Sequence, residues 1–224
     1  MSNHWAVIPV RGFTDSKTRL SSFLGERKRL FVEALLQDVL SSILRSRVYD
    51  KVLVVSPDER VSALGGGVSL SFLGQTGFGL NRAIEQANKL ALKENAQSLT
   101  TILADIPFAE SRDFTELFHL GTGDRRAVLA PSLKGGTNVM MTRPPGVIRP
   151  SYGRWSYAKH LRQAQLNGVT AYSISNPRIS FDVDTVNDLI ELKRRDPDAR
   201  TMSAKALREI WQTPSPARLG SIAG

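Results

Sequence analysis

Residues 5–56 open with WAVIPV (Trp5–Val10) and close with KVLVVS (Lys51–Ser56), and what lies between these two apolar runs decides the fold. Each run is short, rich in β-branched residues and closed by a polar or proline-marked segment, as a buried strand requires. From Glu26 to Leu44 the apolar residues Leu30, Phe31, Ala34, Leu35, Val39, Leu40, Ile43 and Leu44 recur at helical spacing. Strand, helix, strand is the βαβ unit, and it predicts a parallel pair joined by a covering helix.

Working outward, a Gly-rich turn at Gly65–Gly67 leads to an alternating strand over Val68–Leu73, the loop GQTGFG and a helix over Leu80–Glu94. A strand over Leu99–Ala104 runs into Asp105 and Pro107, followed by a helix over Arg112–Leu120 and a strand over Ala127–Pro131. The second half is less regular. KGGTNVMMTR and RPPGVIRP give no clear element; a helix is expected over Ser156–Asn167, and short strands over Thr170–Ser175 and Ile179–Val183. Thr185 is placed as the N-cap of a helix reaching Arg195. The chain then divides into a domain over 1–196 and a basic extension over 197–224, a short helix (Ser203–Gln212) and a mobile tail rich in Pro, Ser and Gly. The pattern reads as α/β, a mainly parallel sheet with helices on both faces, whose ligands gather at the carboxyl ends of the strands.

Composition narrows the chemistry. The 224 residues contain no cysteine, which excludes disulfides, thiolate nucleophiles and cysteine metal sites, and three scattered histidines argue against a histidine cluster. Any metal would sit on carboxylates. No apolar run approaches the roughly 20 residues of a membrane span, and the N-terminus lacks the pattern of a secretory signal, so a cytoplasmic location is expected. The net charge of +9 comes almost wholly from Arg11–Arg29 and Lys193–Gly224. A basic loop near the N-terminus suits a small phosphorylated ligand better than a nucleic acid, which would need a spread basic face with interleaved aromatics.

Three loops at strand ends carry the right residue types. In RGFTDSKTRL (Arg11–Leu20), Gly12 permits tight backbone geometry and Lys17 and Arg19 set two cations beside a turn rich in N–H groups, which suits a polyphosphate or is simply a solvated basic loop. In LADIP, Asp105 stands where a buried strand meets solvent, as a ligand or as a turn former. In FDVDT, Asp182 and Asp184 project from one face of an extended segment while Phe181 and Val183 face the core. Two like charges held side by side call for a cation, so this pair is the best metal candidate; the competing role is an Asx-turn before the helix. Gly135, Gly136, Thr137 and Asn138, and again Gly153 with Ser156, can aim N–H groups and a hydroxyl at an anion, or be a turn and a cap. GFGLNR (Gly77–Arg82) lacks the third glycine and the position of a dinucleotide fingerprint. His160 reads as a packed or surface histidine, since nothing nearby completes a triad.

Taken in order from Pro9 to Leu189, the pieces Pro-Val followed by SKTRL, then GLNRAI, LADIPF, GGTN, YGRWSYAKH and FDVDTVNDL, resemble the 2-phospho-L-lactate guanylyltransferase family of coenzyme F-420 biosynthesis. Tyr152 and Tyr157 stand where phenylalanine is expected more often. The resemblance implies a Rossmann-like, GT-A type nucleotidyltransferase fold and a metal-assisted transfer of GMP from GTP to a phosphorylated three-carbon acid, namely 2-phospholactate, phosphoenolpyruvate or 3-phosphoglycerate. It implies that Asp105, Asp182 and Asp184 hold Mg²⁺. It assigns Arg11, Gly12, Lys17, Arg19 and Asn81 to the nucleotide, with Lys17, Arg19 and Asp105 as the catalytic set. Thr137, Gly153 and Ser156 would hold the acceptor, with 2-phospholactate favoured slightly over phosphoenolpyruvate. The rivals are a nucleotidyltransferase of the same fold charging a sugar phosphate or a molybdopterin, and a non-enzymatic nucleic-acid-binding protein. Self-association is left open.

Overall fold

A computed structural model describes residues 3–12, 16–65 and 70–212. The elements follow in chain order as β1 (His4–Pro9), a short α1 (Ser21–Leu24), α2 (Lys28–Ser46), β2 (Lys51–Ser56), β3 (Leu70–Gly74), α3 (Leu80–Lys93), β4 (Ser98–Ile102) and α4 (Ser111–Leu120). There follow β5 (Arg126–Pro131), β6 (Thr137–Arg143), α5 (Ser156–Leu166), β7 (Thr170–Ser173), α6 (Pro177–Ser180), α7 (Val186–Arg195) and α8 (Met202–Gln212). The seven strands form one sheet in the order β3-β2-β1-β4-β6-β5-β7. All pairings are parallel except those of β6, which runs antiparallel to both β4 and β5. The mainly parallel α/β fold is therefore as expected.

Strand β1 shows why helices cover both faces. Ala6 and Ile8 pack with Leu36, Val39 and Ile43 of α2, while Trp5 and Val7 pack with Ala83, Ala87 and Ala91 of α3. Alternate side chains leave a strand on opposite sides, so a strand apolar at every position must be buried twice. Helix α2 is itself sandwiched. Its Phe31, Ala34 and Leu35 turn away from the sheet and meet Leu189 and Leu192 of α7 and Ala206, Leu207 and Ile210 of α8. Asp38 of α2 also accepts from the backbone N–H of Met202 and Ser203, at 2.7 and 2.9 Å, and so caps the start of α8. Helix α8 thus shares the core of the preceding residues. The mobile tail expected after Gln212, and Val68 and Ser69 of the third expected strand, lie outside the described residues.

Two expectations need correction. Ile179–Val183 is not a strand: Asn176 accepts from the N–H groups of Arg178 (2.9 Å) and Ile179 (3.4 Å) and Pro177 opens the short α6, after which Phe181–Val183 runs extended outside the sheet. Asparagine at the cap with proline at the first helical position is a helix start written in the local sequence. KGGTNVMMTR, left without an element, supplies β6, buried from Thr137 to Thr142 in the middle of the sheet. Among the described residues no helix is long and apolar enough to cross a membrane.

Candidate active site

The chain leaves β1 for β2 and β3 on one side, then returns to β4 on the other, so the carboxyl ends of β1 and β4 flank the point where strand order reverses. Such a crevice is where open α/β sheets take their ligands. Gly12 makes the turn out of β1 at φ 95°, and a Cβ there would lie 2.9 Å from Cβ of Asp58. Further along that loop, Lys17 is itself left-handed (φ 51°) and directs its ammonium across to the loop after β4. Its Nζ donates to Asp105 Oδ2 and, at 2.6 Å, to Asp184 Oδ1. The FDVD segment is brought alongside by the backbone, since Val183 N–H donates to the carbonyl of Asp105 at 3.0 Å. One hydrogen bond therefore joins Asp105 with Asp182 and Asp184 across a long stretch of sequence.

A second cation enters from the β5–β6 loop. Lys134 Nζ lies 2.9 Å from Asp188 Oδ2, 3.4 Å from Asp182 Oδ2 and 3.9 Å from Asp184 Oδ2. Asp188 also closes a capping box with Thr185, the N-cap of α7 as expected. Burial opposes the charge on both lysines, but the surrounding carboxylates outweigh it and raise their pKa values. The acids divide unevenly. Burial, the hydrogen bond its protonated form donates to Asp184 and the charge of Asp105 push Asp182 up to about 7, whereas Lys17 and its hydrogen bond hold Asp184 below its ordinary value despite burial. Asp105 Oδ1 and Asp182 Oδ1 are buried with no hydrogen-bond partner among the described residues. Two oxygens that burial has stripped of water and left without a donor favour a cation.

Beside this charged cluster stands a neutral one. Ser156 Oγ donates to Thr137 Oγ1 at 3.2 Å, and both residues are almost wholly buried. The N–H of Ser156, opening α5, donates to the carbonyl of Gly153 at 3.1 Å, and the space where a Cβ of Gly153 would stand is open. The β5–β6 loop connects both clusters: its Lys134 faces the acids, and it leads directly into Thr137, which pairs with Ser156. Ser132 Oγ shapes that loop by accepting from the N–H groups of Lys134 (3.3 Å) and Gly136 (2.9 Å).

Of the residues singled out in the sequence, Lys17, Asp105, Asp182 and Asp184 lie together, as do Thr137, Gly153 and Ser156. Arg11 and Arg19 are exposed and form no ion pair among the described residues. Asn81 is committed elsewhere: its side chain accepts from Tyr152 N–H at 2.7 Å and donates to the Tyr152 carbonyl at 3.3 Å, tying α3 to the loop before α5. Sequence reasoning missed Lys134 and Asp188. Lys134 precedes Gly135-Gly136 and so repeats the cation-beside-glycine composition that marked the first loop. The basic excess after Lys193 is largely spent locally, with Arg194 and Arg195 on Glu191, Arg200 on Asp198 and Lys193 over the Trp211 ring.

Comparison with known proteins identifies the family. The chain is 34% identical over 190 residues to phosphoenolpyruvate guanylyltransferase of Rubrobacter xylanophilus, covering 84% of this chain and 93% of the relative. It is 33% identical over 216 residues to 2-phospho-L-lactate guanylyltransferase of Methanothermobacter thermautotrophicus, covering 95% and 93%. A crystal structure from Desulfovibrio desulfuricans G20, bearing the name of a nucleotide-diphospho-sugar transferase, superposes with a TM-score of 0.76 at 22% identity over 93% of this chain and 95% of its own, which shows the fold. Residues 4–218 match the family model for "Guanylyl transferase CofC like" proteins, a span that takes in the Lys17 loop, Asp105, the Thr137–Ser156 pair and the FDVD segment. By fold, by motif and by length of match, this chain is a member of the CofC-like guanylyltransferase family.

Proposed function

We propose that the protein transfers GMP from GTP to a phosphorylated three-carbon acid, releasing pyrophosphate, as a step of coenzyme F-420 biosynthesis in the cytoplasm. The observation that carries this reading is the β5–β6 loop, which joins a buried acid cluster holding two lysines to a neutral hydroxyl pair. A triphosphate and a phosphorylated acid bring several negative charges together, and their repulsion is the main obstacle to reaction. The first cluster suits the nucleotide, the second the acceptor.

In the transfer, an oxygen of the acceptor phosphate forms a bond to the α-phosphorus of GTP while the bond from that phosphorus to the β-phosphate oxygen breaks, and the electron pair leaves with pyrophosphate. The nucleophile is already an anion, so no general base is required. This chain's residues therefore act by position and charge. Lys17 and Arg19 would neutralise the leaving phosphates, Lys17 exchanging a carboxylate partner for a phosphate oxygen. Thr137 and the backbone N–H at Gly153 would grip the acceptor phosphate through neutral donors, with Ser156 holding the Thr137 hydroxyl in place, and neutral donors leave charge on the attacking oxygen where a lysine would draw it away.

The residues also fit a divalent cation. Among the described residues no group of three or more carboxylate or imidazole side chains is arranged to hold a metal by itself. Mg²⁺ is usually bound by one or two carboxylates and completes its shell with waters and substrate phosphates. Asp105 and Asp182 would hold it through their partnerless Oδ1 atoms, with Asp184 adding its charge beside them. When bound, Mg²⁺ would neutralise phosphate charge and polarise the α-phosphate.

The test is incubation with GTP and Mg²⁺ and, in turn, 2-phospholactate, phosphoenolpyruvate and 3-phosphoglycerate, with pyrophosphate release as the readout. Release with at least one of them is expected, and release only with a hexose 1-phosphate would move the protein to the sugar class.

A further inference from the structure

His160 is fully buried in α5 and the transfer as described makes no use of it. Its two ring nitrogens have unlike partners. Nε2 lies 2.9 Å from the backbone nitrogen of Ser151, which can only donate, so Nε2 accepts and carries no proton. In a neutral ring the proton then sits on Nδ1, which faces Thr137 Oγ1 at 3.0 Å and donates to it. Burial, with the charge of Lys159 added, holds the imidazole pKa down to about 4, so the ring is neutral near pH 7. Tyr152 packs edge-on against the ring at 5.0 Å, and Asn81 holds the Tyr152 backbone, so the imidazole is fixed in place.

Thr137 Oγ1 thus receives two donors, His160 Nδ1–H and the hydroxyl of Ser156. A hydroxyl has two lone pairs and one hydrogen. With both lone pairs taken from inside the protein, the hydrogen of Thr137 has no acceptor among the described residues and is free for a ligand oxygen.

We propose that His160 is a positioning residue for the acceptor substrate: it fixes the Thr137 hydroxyl as a donor aimed at the acceptor phosphate by filling a lone pair with which that hydroxyl could otherwise accept. This rests on the placement of the acceptor at Thr137 proposed above. A neutral ring carrying its proton on Nε2 would not do this, because its Nδ1 would accept from Thr137 and consume its hydrogen.

The experiment is a set of steady-state measurements on the full chain, with GTP, Mg²⁺ and whichever of the three acceptors supports turnover. Thr137→Val should raise the acceptor KM about tenfold and leave the GTP KM alone. His160→Leu should do the same, and the double variant should be no worse than either single one, since both remove one donor. His160→Asn, whose amide can stand where Nδ1–H stood, should recover most of the loss, whereas His160→Gln, which reaches only toward Ser151, should not. If Thr137→Val leaves the acceptor KM unchanged, the acceptor is not bound there and the underlying reading falls with the inference. If Thr137→Val behaves as expected but His160→Leu is silent, adds its full effect in the double variant, or weakens GTP equally, this inference alone is overturned. Should the His160 variants not fold, ¹⁵N imidazole spectra of the wild-type protein decide: with three histidines in the chain, a resolved Nδ1–H tautomer for the buried ring is expected at pH 7. An Nε2–H tautomer would refute the proposal.

Discussion

Asp113 and Asp182 are both buried aspartates, and the protein treats them in opposite ways. Asp113 accepts from Arg178 through two nitrogens, from Asn176 Nδ2 at 2.8 Å and from the Glu110 N–H at 2.8 Å, and these donors lower its pKa in spite of burial. Asp182 has one oxygen without a partner and the other 3.4 Å from Lys134, so burial wins and its pKa rises. A buried charge is costly unless it is fully paired. Asp113 is paired to the limit and ties the start of α4 to α6, as a structural ion pair does. Asp182 keeps an unmet oxygen in the crevice, and groups left in that condition concentrate where ligands bind.

The comparison is most easily broken at the acid cluster. Asn in place of Asp182, Asp184 or Asp105 keeps shape and removes charge, so GTP-dependent pyrophosphate release should fall on the order of 1,000-fold, about 4 kcal/mol in barrier, without a fall in the melting temperature. Full activity with a lowered melting temperature would make the FDVD segment a turn and helix cap. Asp113→Asn should do the reverse, costing about 3 kcal/mol in urea unfolding because Arg178 and Asn176 lose their partner, with kcat per folded molecule unchanged.

Proton linkage sharpens the contrast. Asp182 ionises near its ordinary 3.8 when unfolded but at about 7 when folded, so the native state binds the extra proton and stability declines as pH rises from about 4 to 7. Asp113 is shifted the other way, so the stability it lends is present above its unfolded value and lost as pH falls through its folded one. Asp182→Asn should therefore flatten the decline between pH 4 and 7, by about 3 kcal/mol in denaturant titrations, and Asp113→Asn should flatten the acid limb below it. Equal slopes for both variants would erase the distinction. The smallest effect is expected in the neutral cluster: Ser156→Ala should raise the acceptor KM with a cost of about 1.5 kcal/mol and change the GTP KM little. An equal rise in both would mark Ser156 as a helix start only.

How much of this was legible beforehand depends on how far apart the partners lie. The alternation in FDVD put Asp182 and Asp184 on one side and Phe181 and Val183 in the core, and the two apolar residues are buried as that spacing requires. Thr185 was visible as a cap because its partner, Asp188, is in the next turn. The start of α6 was equally local and was overlooked in favour of the apolar residues that follow. Strand β6 had no such signature: both its faces are covered and its entry is a glycine turn, so neither alternation nor a clean apolar run marks it.

By itself, the sequence determined the βαβ opening, the parallel α/β class, the boundaries of most helices and the family, because periodicity, caps and ordered motifs act over a few residues or as a linear string. Tertiary structure alone decided that β6 would enter the sheet antiparallel between β4 and β5, and that Lys134 would join the acids of the segment leading into α7 and of its first turn. It also spent Asn81 on Tyr152 and turned His160 toward Thr137. Those contacts join residues tens of positions apart, and strand order, which no local pattern encodes, determines which loops meet.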